Sequence, residues 1–176
     1  MPTYTVTAPS GRLNAEQKQN LATAITRAHH DITGAPTYFA QVIFVEVQPG
    51  NYFVGGAPLA HDQIFIHGQI RAGRSEEDKR KLIEKILLVC SPAAAAPASA
   101  LWVYLVDLPA AQMAEFGHIL PEPGQEAQWS ASLPAADRQR MEAGGRLLSE
   151  MDEAKAARCT SGTRIHPVSH LKYQRY

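Results

Sequence analysis

Apolar and polar positions alternate strictly over residues 3–8, TYTVTA. Tyr4, Val6 and Ala8 share one face, and Thr3, Thr5 and Thr7 share the other. Period-two alternation with β-branched residues predicts a strand with one polar face. The period then changes. NAEQ at 14–17 offers Asn14 as N-cap and Gln17 as its capping-box partner. Leu21, Ile25, Ala28 and Ile32 then define one stripe of a helix, which TG at 33–34 ends. AQVIFVEV (40–47) is almost continuously apolar and predicts a strand buried on both faces. NYFVGG (51–56) reads as a short strand or hairpin arm ending in a glycine turn.

The same order then recurs. QIFIHGQI (63–70) is a strand, and Ser75 caps a helix over 76–89 that carries acids in its first turn, where the helix dipole favours them. SPAAAAPAS (91–99) reads as an Ala/Pro linker, and ALWVYLVDL (100–108) as a strand. The offset of 61 that carries Asn14 to Ser75 also carries Pro2 to Gln63 and Gln41 to Trp102. Two βαβ units, about 2–48 and 63–108, are therefore expected to share one sheet. The predicted fold is α/β (α+β): a four-stranded sheet with two helices on one face. The other face is too apolar for water, which predicts oligomerisation through the sheet. A short helix is expected after Pro109. A helical pattern follows over 134–158, interrupted by Gly144 and Gly145, and then a basic, unpatterned tail. The expected division is a domain over 1–145 and a helix end plus tail over 146–176.

Charge and composition narrow the function classes. The chain has 176 residues with 17 Lys+Arg and 17 Asp+Glu, so it is formally neutral. That balance argues against binding driven by nucleic acid or membrane charge. Two cysteines, Cys90 and Cys159, are too few for a disulfide framework, and no metal-ligand spacing occurs. No apolar run reaches a membrane span, and the N-terminus lacks the basic and apolar regions of a signal peptide. A soluble cytoplasmic protein without cofactor or metal is expected.

Several residues could carry chemistry. Proline is tolerated at a strand start, which is one reading of Pro2. If Met1 is removed, Pro2 becomes a secondary amine whose neighbours decide whether it serves as general acid or base. On the first helix His30 points to solvent. His29 lies roughly 70° from the centre of the buried stripe, at the margin of the packed face. It is either a boundary histidine bonded to a carbonyl or a donor to a substrate oxygen. Arg71 and Arg74 bracket AG between the end of a strand and the helix capped by Ser75. They are either loop arginines or a pair of guanidinium forks gripping a carboxylate. Tyr104 shares a strand face with Trp102 and Val106 and reads as a core aromatic. Glu115, on or just after the short helix, reads as a solvated carboxylate.

Pro2, AITRAHHDITG (24–34), FAQVIF (39–44), FIHGQIRAGRS (65–75), LWVYL (101–105) and PAAQMAEFGHILPEPGQEAQW (109–129) together resemble the tautomerase superfamily, in its cis-3-chloroacrylic acid dehalogenase branch. The resemblance covers roughly residues 2–143. It implies the fold of 4-oxalocrotonate tautomerase and macrophage migration inhibitory factor, assembled as a homotrimer. It further implies that Pro2, His29, Tyr104 and Glu115 are catalytic and that Arg71, Arg74 and His29 bind a small carboxylate. Glu115, aided by Tyr104, would activate water. The implied reaction is hydration or hydrolytic dehalogenation of unsaturated acids with Pro2 as acid. The alternatives are keto–enol tautomerisation with Pro2 as base, or a non-catalytic trimeric binding protein. Ala35 and Phe39 depart from the dehalogenase pattern, which has threonine and leucine there. Both lie in the loop expected to shape the pocket, with Phe39 against the substrate.

Overall fold

A computed structural model describes residues 2–143 of the protein. In chain order the elements are β1 (Thr3–Pro9), α1 (Ala15–Thr33), β2 (Gln41–Val47), β3 (Phe53–Val54), β4 (Ala57–Pro58), β5 (Ile64–Arg71), α2 (Glu76–Ala94), β6 (Leu101–Leu108), β7 (Ala114–Glu115), β8 (His118–Ile119) and α3 (Glu126–Ser132). A further helical stretch occupies 135–143. The rest of the expected 134–158 helix and the tail lie outside the described residues.

Four strands form one sheet in the order β2-β1-β5-β6. β1 runs parallel to β2 and β5 parallel to β6, while β1 and β5 are antiparallel. Two βαβ units therefore meet at the sheet centre, as the repeat predicts. Both helices begin as their caps dictate. The Asn14 side chain accepts from the Gln17 amide at 2.8 Å, and the Gln17 side chain accepts from the Asn14 amide at 3.0 Å. Ser75 accepts from the Asp78 amide at 3.1 Å. Gly34, at φ 68°, closes α1 in the left-handed conformation that glycine adopts without penalty.

α2 runs beyond the expected Val89 to Ala94, with Pro92 inside it, so the Ala/Pro stretch is only partly a linker. Proline there gives up one helical hydrogen bond. Side chains from the first unit supply others at the helix end: Gln17 Nε2 donates to the Ala94 carbonyl at 2.9 Å and Arg12 Nη1 at 3.3 Å.

The core lies between sheet and helices. Tyr4, Val6, Ile64, Ile66 and Ile70 meet Leu21, Ile25, Leu82 and Ile86, all essentially without solvent contact. Gly68 admits this packing, because a Cβ there would stand 2.6 Å from Tyr4 Cε1 and 2.7 Å from Leu105 Cδ2. A second cluster of Phe39, Ala110, Met113, Leu120, Leu133 and Met141 holds the segment after β6 against the β2 approach.

The opposite sheet face is open in the single chain. Register aligns Ile43, Thr5, His67 and Tyr104 across it, flanked by the row Val45, Thr7, Phe65 and Trp102. β2 is therefore not buried on both faces: Ile43 and Val45 are 42% and 43% exposed, because β2 is an edge strand covered by helices on one side only. NYFVGG does form a hairpin, β3–β4, whose turn residues Gly55 and Gly56 both have positive φ, as a type I′ turn requires.

Candidate active site

Antiparallel pairing of β1 with β5 brings the start of one to the end of the other. Thr3 lies opposite Gln69, so Pro2 stands at the sheet end where β5 delivers Arg71. Pro2 is fully buried, and its carbonyl accepts from the Gln41 amide at 3.0 Å, which fixes the start of β1 against β2. The carboxyl end of α1 and the loops after β5 and β8 converge on the same end. A cavity of about 500 Å³ opens there, lined by His29, Arg71, Arg74, Ala35, Pro123 and Glu126 among others.

His29 is deeper than its place on the helix suggests, with 3% exposure. The stripe argument considers α1 alone, whereas Tyr4 rises from β1 to meet the ring: Tyr4 Oη and His29 Nδ1 are 2.8 Å apart. Burial, and next the Arg74 charge, push the imidazole pKa down to about 3, so His29 is neutral at physiological pH. Burial likewise raises the Tyr4 hydroxyl, which stays protonated. With Nδ1 engaged by Tyr4, Nε2 is the ring nitrogen left for the cavity. His30 is exposed, as expected, and its Nδ1 lies 2.8 Å from the Ala35 carbonyl.

Arg71 and Arg74 differ in state. Arg71 is 7% exposed, and its fork is already engaged: Nη1 donates to the Pro121 carbonyl at 2.8 Å, and Nη2 pairs with Glu126. Arg74 makes only a long contact, Nη1 to the Thr33 carbonyl at 3.4 Å, and its buried Nε has no partner among the described residues. Burial, reinforced by Arg71, lowers the Arg74 pKa, although a guanidinium remains charged. The loop between them turns on Gly73, at φ +102°, where an added Cβ would stand 2.6 Å from Pro123 Cγ. Gly73 thus lets the 121–126 segment press onto the arginine loop.

Glu115 lies on β7, reached through a 3₁₀ turn at Ala110–Gln112, and the turn to β8 has positive φ at Phe116 and Gly117. It lines a second recess of about 540 Å³ with Thr3, Phe39, Gln41 and Phe116, so this recess also borders the start of β1. Burial raises the Glu115 pKa, and the Arg71 charge opposes the rise. Glu115 is half-buried, so it is not the freely solvated carboxylate that one reading expected. The Phe39 ring packs 4.4 Å from Tyr38 and 6.3 Å from Trp129. Phe39 therefore shapes the Glu115 recess, while Ala35 shapes the arginine cavity.

Tyr104 is not brought to this end. It stands mid-strand on the open sheet face beside His67, 54% exposed, with its ring 5.0 Å from Phe65. The core reading also fails within one chain. Among the described residues no cluster of three or more His, Cys, Asp or Glu could hold a metal ion, and no helix is long and apolar enough to cross a membrane. Two site residues escaped the sequence reading. Tyr4 carried only a core signal, and Glu126 meets Arg71 across 55 positions of chain, which no local pattern encodes.

Comparisons with known proteins agree with this fold. The family model described as "Putative oxalocrotonate tautomerase enzyme" matches residues 1–132. The crystal structure of N1, a member of the cis-3-chloroacrylic acid dehalogenase family, is 33% identical with a TM-score of 0.77, covering 80% of this chain and 99% of that one. Native Ps01740 is 35% identical with a TM-score of 0.60, covering 64% and 99%. A fused 4-OT, solved as an asymmetric trimer, is 26% identical with a TM-score of 0.62, covering 66% and 94%. No curated protein matches the chain. With the doubled βαβ sheet and these matches together, the chain belongs to the tautomerase superfamily, in its cis-3-chloroacrylic acid dehalogenase-like branch.

Proposed function

We propose that the protein is a cofactor-independent hydratase or hydrolytic dehalogenase of small unsaturated monocarboxylic acids, 3-halo acids included. The observation that carries this reading is the gathering of His29, Arg71 and Arg74 around one cavity at the sheet end where Pro2 and Glu115 stand. Arg74, with an unpartnered Nε, receives the substrate carboxylate, and Arg71 adds its charge. Tyr4 donates to His29 Nδ1, so that Nε2–H polarises the same carboxylate. Glu115 takes a proton from water as the oxygen bonds to the β-carbon. The alkene pair moves to the α-carbon, which takes the proton of the Pro2 ammonium. A β-halo substrate then expels hydrogen halide and leaves a semialdehyde. Each step needs Pro2 as a free amine, hence removal of Met1.

Tyr104 enters this scheme only from a second copy. The open sheet face is apolar and Tyr104 is exposed upon it. The assembly we propose is a homotrimer packed through that face, which would carry Tyr104 to a neighbour's Glu115. The fused 4-OT relative supports the trimer.

A second reading, keto–enol tautomerisation with Pro2 as base, is favoured by the oxalocrotonate tautomerase family match. One experiment separates the two. Intact mass establishes the N-terminus, and cis-3-haloacrylates, propiolate-type acids and phenylenolpyruvate are then assayed against pH with wild type and Pro2→Ala. Hydration requires the protonated amine and tautomerisation the free base. A retained Met1, or full activity in Pro2→Ala, defeats both.

A further inference from the structure

The charges around the arginine cavity do not balance as a pair of free guanidinium forks would. Three charged side chains line it: Arg71, Arg74 and Glu126. His29 is neutral, so two positive charges and one negative leave a net of +1. The negative charge is held in place. Glu126 pairs with Arg71 Nη2 while Arg71 Nη1 donates to the Pro121 carbonyl, so Arg71 grips both ends of the 121–126 segment. Pro123, seated on Gly73, fixes the middle. Although burial acts against it, the bond from Arg71 keeps the Glu126 carboxyl below its ordinary pKa, so it stays ionised.

We propose that Glu126 is a specificity-determining residue that sets this cavity to accept one carboxylate and to turn away dicarboxylates. Buried charges are tolerated when paired. A monoanion on Arg74 brings the cavity to neutrality. A dianion must place its second carboxylate either in the recess toward Arg71, where Glu126 already holds the guanidinium, or against apolar wall. The discrimination is thus a repulsive element built into the site. Glu126 is partly exposed, at 41% of its side chain, so solvent screening limits the effect to about tenfold.

This inference rests on the carboxylate-binding reading of the cavity, and its test reads binding alone. Acrylate and maleate are titrated calorimetrically into the full-length wild type, Glu126→Gln and Glu126→Asp, with thermal unfolding recorded for each. Wild type should bind acrylate about tenfold more tightly than maleate. Glu126→Gln should narrow that ratio by about tenfold, chiefly by tightening maleate, while Glu126→Asp keeps the charge and stays near wild type. A wild type binding maleate as tightly as acrylate overturns the inference whatever the variants do. An unchanged ratio in Glu126→Gln, or an equal change in Glu126→Asp, overturns it while leaving the carboxylate site standing. Binding of neither acid by any form overturns the inference and the carboxylate site together.

Discussion

The neutral state of His29 makes acid sensitivity a direct measure of the site's construction. In the unfolded chain its imidazole titrates near 6.5, and in the fold near 3, because burial and Arg74 disfavour the cation. A group whose folded pKa is depressed contributes stability that is complete above the unfolded value and is lost as pH falls toward the folded one. Linkage sets the size: between pH 7 and pH 5 the unfolded state takes up a proton that the folded state refuses, which removes about 2 kcal/mol. Glu115 works in the opposite sense, since its raised folded pKa favours the fold as acid is added. Hydrogen bonds from Lys18 and Arg12 hold the carboxyls of Glu46 and Asp62 below their ordinary range, so their contributions are lost as the pH falls further. A total profile would mix these, so the comparison is with His29→Gln, which lacks the titration and keeps a hydrogen-bonding side chain. Urea unfolding of both proteins at one protein concentration, at pH 7 and pH 5, should show wild type losing about 2 kcal/mol more than the variant. Losses equal within about 0.5 kcal/mol would show that His29 is not held neutral by its surroundings.

Three further outcomes follow from particular contacts. Tyr4→Phe leaves His29 Nδ1 buried without its 2.8 Å partner, so unfolding free energy should fall by about 1–3 kcal/mol and KM for a carboxylate substrate should rise; a neutral result on both would remove Tyr4 from the site. Gly68→Ala forces a methyl to within 2.6 Å of the Tyr4 ring in the sheet centre and should cost about 1–3 kcal/mol by thermal or denaturant unfolding. Ile43→Lys places a charge on the open sheet face, and sedimentation should then report a smaller species than wild type. An unchanged sedimentation coefficient would move the proposed interface elsewhere.

What the sequence discloses divides by range. Alternation in TYTVTA and the caps at Asn14 and Ser75 are local, and β1, α1 and the start of α2 sit where those signals put them. The end of α2 was not legible, because Pro92 looks like a stop while the side chains that complete the helix end, Arg12 and Gln17, lie about 80 residues upstream. Site placement shows the same limit. The resemblance names His29, Arg71 and Arg74, and the structure gathers them at one cavity. That Arg71 is already occupied depends on Glu126 and Pro121, far along the chain. The burial expected for Val45 and Tyr104 is not met within the single chain, because both stand on the sheet face that the helices leave open.

The doubled unit also explains why His29, Arg71 and Arg74 collect at one end of the sheet. In the helices the offset of 61 is matched by burial: Leu21 with Leu82, Ile25 with Ile86, His29 with Cys90. In the first strands it slips, because five residues separate Pro9 from α1 and four separate Arg71 from α2, so Pro9 corresponds to Arg71 and Gln63 is not the counterpart of Pro2. The two ends thus differ in the groups they present. Where one helix presents His29 to a cavity, the other buries Cys90, whose thiol burial pushes up to about 12. Where β5 ends in Arg71, β1 ends in a proline that can carry no charge. The far end instead closes on itself, with Lys18 bonded to Glu46 at 2.6 Å and Ser10 to the same carboxylate at 3.0 Å. Antiparallel contact between the units then does the rest. It sets β1 against the end that carries Arg71 and Arg74, so Pro2 and the arginine cavity become neighbours through topology alone.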